Sequence, residues 1–278
     1  SRNGDNNNDY IDYNSIGTQI GTSNRSENST RDYDNYNYNL SYTKNFSKRG
    51  HNLKLNFSWS DNLSDNEGTY MQTLPRTNRI LEQRTKEDGD RYDQNIRLDY
   101  TYPFNENKGK LEIGYKRDYD KMNSNYLVEQ LFNNGTSSEE WRKTPPSNSY
   151  EYFQDVNALY FQIGNQSGKL SYQLGLRFED TNFFAELTET NEITELKYSN
   201  FFPTAFLTYE FSDKESIQLS YSNRLRRPRF WDLNPFYGLG DSRSTYTGNP
   251  FLEPEITDSY EIGFLKEFNS GNFYVGTY

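Results

Sequence analysis

The chain has 278 residues, a formal net charge of −10 and no cysteine, which excludes a disulfide framework, a thiolate nucleophile and Cys-based metal sites. The acidic balance argues against a nucleic-acid partner, because a phosphate backbone needs a basic face. Aromatic residues reach 17% while hydrophobic residues total only 32%, lean for a soluble core of this length but compatible with a barrel wall in which only alternate residues meet lipid.

The opening "SRNGDNNNDY" has no apolar h-region and so no signal peptide. Together with a final "GNFYVGTY" that reads as a strand just begun, it predicts a piece of a longer precursor. Asp5, Asn7 and Asp9 have the Asp-x-Asn-x-Asp start of a calcium loop, but the sixth-place Gly is missing and Ile16 stands where Glu is needed. Calcium in an outer loop, here or at "DNEG" (65–68), is the one cofactor the sequence leaves open.

Period-2 alternation then dominates. Tyr36, Tyr38, Leu40 and Tyr42 alternate with polar residues, as do Leu53, Leu55, Phe57 and Trp59, then Ile96, Leu98, Tyr100 and Tyr102, then Leu111, Ile113 and Tyr115. Further along, Leu170, Tyr172, Leu174, Leu176 and Phe178 repeat the pattern, followed by Ile217, Leu219 and Tyr221. The spacing predicts about eleven strands, near 10–23, 35–45, 51–61, 91–103, 109–120, 150–164, 168–182, 198–211, 215–224, 257–268 and 271–278. Phe201, Phe202, Tyr209 and Phe211 sit near strand ends, where an interfacial aromatic girdle belongs.

Short polar turns at 46–50, 104–109, 165–168, 212–215 and 269–271 alternate with long connections at 24–34, 61–90, 121–149, 183–197 and 225–256. That rhythm predicts an all-β, antiparallel up-and-down transmembrane barrel with its short turns at one end and long extracellular loops at the other. A soluble β-sandwich would have shorter strands and evenly spaced turns. The second face of the strands carries Lys54, Arg97, Asp99, Glu112, Lys116, Arg177 and Glu179. An Arg or Lys facing lipid at mid-bilayer costs about 2–4 kcal/mol, so these charges belong in the lumen, either pairing with a plug or lining a substrate path.

"YSNRLRRPRFWDLNPF" and "TGNPFLEPEITDSYEIGF" break the pattern with four of the nine prolines. They resemble a signature of the outer-membrane β-barrel family of Bacteroidota, related to TonB-dependent receptors and SusC-like transporters. Arg227, Pro228, Trp231, Asn234, Pro235 and Phe236 carry its middle; Gly248, Asn249, Pro250, Pro254 and Glu255 carry its end. The resemblance implies that residues 1–278 are one C-terminal-type segment of a 22-stranded barrel whose plug and N-terminal domains lie outside this chain. It also implies outer-membrane lipids, a TonB-type energy coupler and a surface lipoprotein as partners. Proline fixes φ and removes a donor, so this segment is expected to be a rigid loop that crosses toward the lumen, with Arg226, Arg227 and Arg229 pairing lumenal acids. Structural clamping is the first role, and ligand contact the second.

Enzymatic chemistry finds little support. His51, the sole histidine, sits just after a short turn, a poor place for a catalytic base. The pairs Glu139/Glu140 and Asp118/Asp120 read as solvated acids without the spacing of a glycosidase. The function expected is nutrient binding and uptake at a Gram-negative outer membrane. The alternatives are a non-transporting barrel that scaffolds surface lipoproteins or secretion machinery, and a soluble carbohydrate-binding β-domain.

Overall fold

A computed structural model describes residues 2–73, 79–133, 139–144, 147–233, 248–249 and 251–278. Among them, twelve strands form a single antiparallel sheet in which nearly every strand pairs with its chain neighbours. The strands are β1 (Arg2–Tyr13), β2 (Gln19–Asn45), β3 (Asn52–Thr73), β4 (Ile80–Phe104), β5 (Gly109–Asn133), β6 (Glu139–Lys143), β7 (Asn148–Ser167), β8 (Leu170–Leu187), β9 (Glu192–Ser212), β10 (Glu215–Arg226), β11 (Glu255–Phe268) and β12 (Gly271–Thr277). The short β6 pairs only with the far end of β5, and β5 continues the sheet through β7.

Register gives the sheet two chemically distinct faces, because side chains alternate along each strand. One row runs Leu55, Leu98, Tyr115, Leu159, Phe178, Phe201 across six strands. The adjacent row on the opposite face runs Lys54, Asp99, Gly114, Tyr160, Arg177, Phe202. The first face is apolar and exposed, as lipid-facing surface must be. Phe201 is 64% exposed on it, whereas Phe202, expected in the same girdle, points inward and is 6% exposed.

Two aromatic lines bracket the apolar face. At the upper border Tyr38, Trp59, Tyr92, Tyr119, Phe153 and Phe184 form a continuous chain of ring contacts, with centroids 5.4–6.4 Å apart. At the short-turn border Phe46 stacks on His51 at 4.1 Å, His51 meets the edges of Tyr100 and Tyr102, and Lys48 lies over Tyr102 at 4.7 Å. On β4 the stretch from Tyr92 to Tyr102 has the length a tilted strand needs to cross a bilayer, about 9–11 residues.

The short turns fall where expected, but the long connections do not behave as loops. Residues 24–34 lie within β2, 61–73 in β3, 80–90 in β4, 121–133 in β5, and 183–187 and 192–197 in β8 and β9. The strands run on past the upper aromatic line as a paired ladder whose outer face is largely polar. No apolar alternation marks such a strand, so the sequence signal fails where the structure does not. The predicted strand at 10–23 is in fact a hairpin. Asn14 Oδ1 accepts the Ile16 and Thr18 N–H groups at 3.1 and 2.8 Å, and Gly17 turns the chain with φ of 80°.

Leu174→Arg on the lipid face should destabilise the barrel by about 2–4 kcal/mol, whereas Gln173→Arg, one residue away on the inner face, should be tolerated. Heat-modifiable gel migration and unfolding in detergent would measure both; equal effects would contradict the assignment of faces.

Candidate functional site

The seven candidate charges Lys54, Arg97, Asp99, Glu112, Lys116, Arg177 and Glu179 share the face of the sheet opposite the apolar one, as their cross-strand partners require. Arg97 pairs with Asp99 at 2.9 Å, Lys116 with Asp118 at 2.7 Å, and Arg177 with Glu179 at 2.6 Å. Glu112 takes Lys110 at 2.9 Å and the Gln162 amide at 3.0 Å. Lys54 stands directly across from Asp99. Tyr160 donates its hydroxyl to Asp99 two strands away, and it reaches there by lying over Gly114, where a Cβ would collide with its ring. Glycine at this point is a steric requirement of the aromatic bridge.

The signature segment closes onto the same face. Past β10 the Arg227 guanidinium pairs with Glu179 and donates to Thr181 Oγ1 at 2.9 Å. Glu179 is buried and so shared between Arg177 and Arg227, an arrangement in which each guanidinium offsets the desolvation of the carboxylate. A single helical turn, α1 (Phe230–Leu233), follows. Its entry is capped by Asp232, which accepts the Arg229 N–H at 2.9 Å. Leu233, 3% exposed, completes an inner cluster with Tyr150, Tyr152, Phe183, Ala185 and Leu187, against which Met122 and Leu196 pack. Burial pushes the Tyr150 and Tyr152 phenols well above their usual range.

The two arms of the segment meet at its base. The Asn249 N–H donates to the Asp232 carbonyl at 2.8 Å, and Asn249 caps the following turn by accepting the Phe251 N–H at 3.0 Å. Arg226 does not reach a lumenal acid: it faces Glu255 across the β10–β11 ladder at 3.7 Å, both side chains exposed. Arg229 contributes backbone groups here, and among the described residues only Arg227 of the three arginines pairs a lumenal carboxylate. Pro228, Gly248 and Glu255 border the cleft between the arms, and Pro254 immediately precedes β11. Asn234, Pro235, Phe236 and Pro250, and the side chain of Trp231, lie outside the described residues.

His51 is a girdle residue: its Nε2 is 3.0 Å from the Tyr100 hydroxyl, and among the described residues no carboxylate orients it. Asp5, Asn7 and Asp9 lie along β1, spread by the extended backbone. Among the described residues no three His, Asp or Glu side chains converge to hold a metal ion. Sequence reasoning missed the Tyr150–Leu233 cluster, since most of it falls in segments taken for loops. It also missed Arg25, 1% exposed with its guanidinium 4.6 Å over the Tyr70 ring.

The profile described as the outer membrane protein beta-barrel family matches residues 44–278. Among solved structures, the unliganded ferric citrate transporter FecA superposes with a TM-score of 0.51 at 12% identity, over 89% of this chain and 38% of that one. The alcaligin outer membrane receptor FauA from Bordetella pertussis gives 0.48 at 14% identity, over 99% and 48% respectively. The chain thus spans less than half the length of either. No curated protein matches it.

Gly114→Ala should cost about 1–3 kcal/mol by overpacking, and that cost should vanish in a Tyr160→Ala background; a double-mutant cycle in detergent unfolding reads the difference. Leu233→Asp should admit water to the inner cluster. Two of the 25 tyrosines would then move from the late to the ordinary phase of an alkaline spectrophotometric titration.

Proposed function

Because the chain belongs to the outer membrane protein beta-barrel family, we propose that it forms wall and extracellular ladder of a receptor barrel that binds a nutrient outside the cell and passes it inward. The protein resides in the outer membrane, with lipid against the face that carries Leu159, Leu174 and Phe201. The observation that carries the uptake reading is the inner face at membrane depth. It is lined by ionisable groups beside an open recess of about 540 Å³ rather than by a packed apolar core. Ionisable residues inside a membrane barrel are costly unless they are wet, paired and used.

In this reading the Arg227–Glu179 contact and the Leu233 anchor hold the signature segment against the wall, so that the route beside it keeps a fixed shape. A plug outside this chain would occupy the lumen and engage a TonB-type inner-membrane energy coupler. The fold likeness to the ferric citrate transporter supports a receptor barrel and leaves the cargo open. A surface lipoprotein at the extracellular ladder is the second partner proposed.

Cells lacking the protein should lose import of one scarce nutrient, and cells lacking the energy coupler should lose the same import. The comparison is made by growth and radiolabelled uptake under limitation. Unchanged import, with surface lipoproteins released instead, would replace uptake by a scaffolding role.

A further inference from the structure

The outer face carries an aromatic group that the lipid boundary does not explain. On β7 and β8 the apolar rows end at Leu159 and Phe178, which face each other eight residues along from the short turn between Ser167 and Leu170. The next two outward positions on each strand are polar, Asn157 and Asp155 on β7 and Asp180 and Asn182 on β8. Only then come Phe153 and Phe184, directly opposite each other and fourteen residues from the turn. A tilted strand crosses the hydrocarbon in about 9–11 residues, so these two rings stand beyond it. An interfacial girdle would sit directly on the apolar rows, as Tyr100 and Tyr102 do at the other border. Tyr119, Phe153 and Phe184 stack near-parallel, with interplanar angles of 23° and 16°, and both phenylalanines are half-buried. Arg117 holds Asp155 at 2.8 Å, Lys121 holds Glu151 at 3.0 Å, and Asp180 accepts the Ser199 hydroxyl at 2.7 Å. The carrying strands β5, β7 and β8 each have a sheet neighbour on both sides, and this face looks away from the lumen.

We propose that this patch docks the sugar head of an outer-leaflet glycolipid, with the acyl chains of the same molecule lying on the apolar rows below. The patch continues the lipid-facing surface along β7 and β8, so a lipid seated on Leu159 and Phe178 carries its head to this level. Amides and carboxylates beside an aromatic wall suit a sugar, whose hydroxyls bond the first and whose C–H surface packs on the second. Arg117 and Lys121 are matched to carboxylates, so sugar hydroxyls rather than phosphate are the chemistry the patch favours. The inference needs only residence in the outer membrane and stands apart from the uptake reading.

The test uses the whole protein purified in detergent and incubated with lipopolysaccharide that keeps its core sugars, the retained lipid being counted by mass spectrometry of the intact complex. Retention should fall about tenfold in the double variant Phe153→Ala/Phe184→Ala, as loss of two ring contacts implies. Phe153→Leu/Phe184→Leu, which keeps apolar bulk without the rings, should show the same fall and serves if the alanine variant does not fold. Leu219→Ala, on the outward row of β10 away from the patch, should retain lipid like the parent. Heat-modifiable migration confirms that each variant is folded. No retention by the parent, or equal retention by all folded variants, overturns the site. Equal retention of lipid A stripped of its sugars also overturns it, assigning the contact to phosphate or acyl chains. Binding of the delipidated core oligosaccharide as tight as that of the whole lipid overturns the lipid as its source. A protein partner or second copy of this chain lost from the double variant, with lipid retention unchanged, overturns the proposal and gives the patch to a protein.

Discussion

A backbone inside hydrocarbon has no water to bond, so each N–H and C=O must find a partner in the protein. The long antiparallel ladder is the answer to that constraint, and the rest of the molecule follows from it. Once every backbone group points sideways into a neighbouring strand, side chains can only point to one face or the other. Lipid then claims one face for Leu, Ile, Phe and Tyr, and most ionisable groups at this depth lie on the opposite side, the Arg117–Asp155 pair beside Tyr119 being an exception. The inner surface is thus where charge had to collect, before any question of ligand arises.

What the protein does with that collected charge is specific. Most lumenal ions are paired along or across strands, which neutralises them locally and keeps the wall stiff. Glu179 is the exception in burial and in valency: one carboxylate holds a wall arginine and an arginine from the signature segment. With Leu233 set among Tyr150, Tyr152 and Phe183, polar and apolar anchors fix the segment's first arm side by side. The proline-rich composition reduces the entropy lost on fixing it.

The membrane-depth part of the fold was legible because bilayer and lumen impose opposite polarity on alternate residues, as in Leu53–Trp59 or Leu170–Phe178. The placement of all seven charges on the face opposite the apolar one followed from the same rule. Above the aromatic line the rule lapses, since water replaces lipid at the outer face, and "SDNEGTYMQT" carries no trace of its pairing with β4. Phe202 was misplaced because two adjacent phenylalanines hide the period of β9. The hairpin at Asn14–Thr18 was missed because Ile11, Tyr13 and Ile16 resemble a continuing strand when the capping role of Asn14 is overlooked. The partnership of Arg227 with Glu179 depends on a fold that brings residues 48 positions apart together, which no local pattern encodes.

One detail of the wall bears on how such a sheet finds its alignment. All 22 residues of β3 pair with β4 without a bulge, and a slip by one residue between long strands would be rejected at once, since it would exchange lipid and lumen faces. A slip by two keeps both faces correct and escapes that penalty. Between β5 and β7, however, such a slip would slide the Tyr160 ring off Gly114 and onto a residue with a side chain. The glycine and the tyrosine therefore act as notch and tooth, a vernier that distinguishes alignments hydrophobicity alone cannot tell apart.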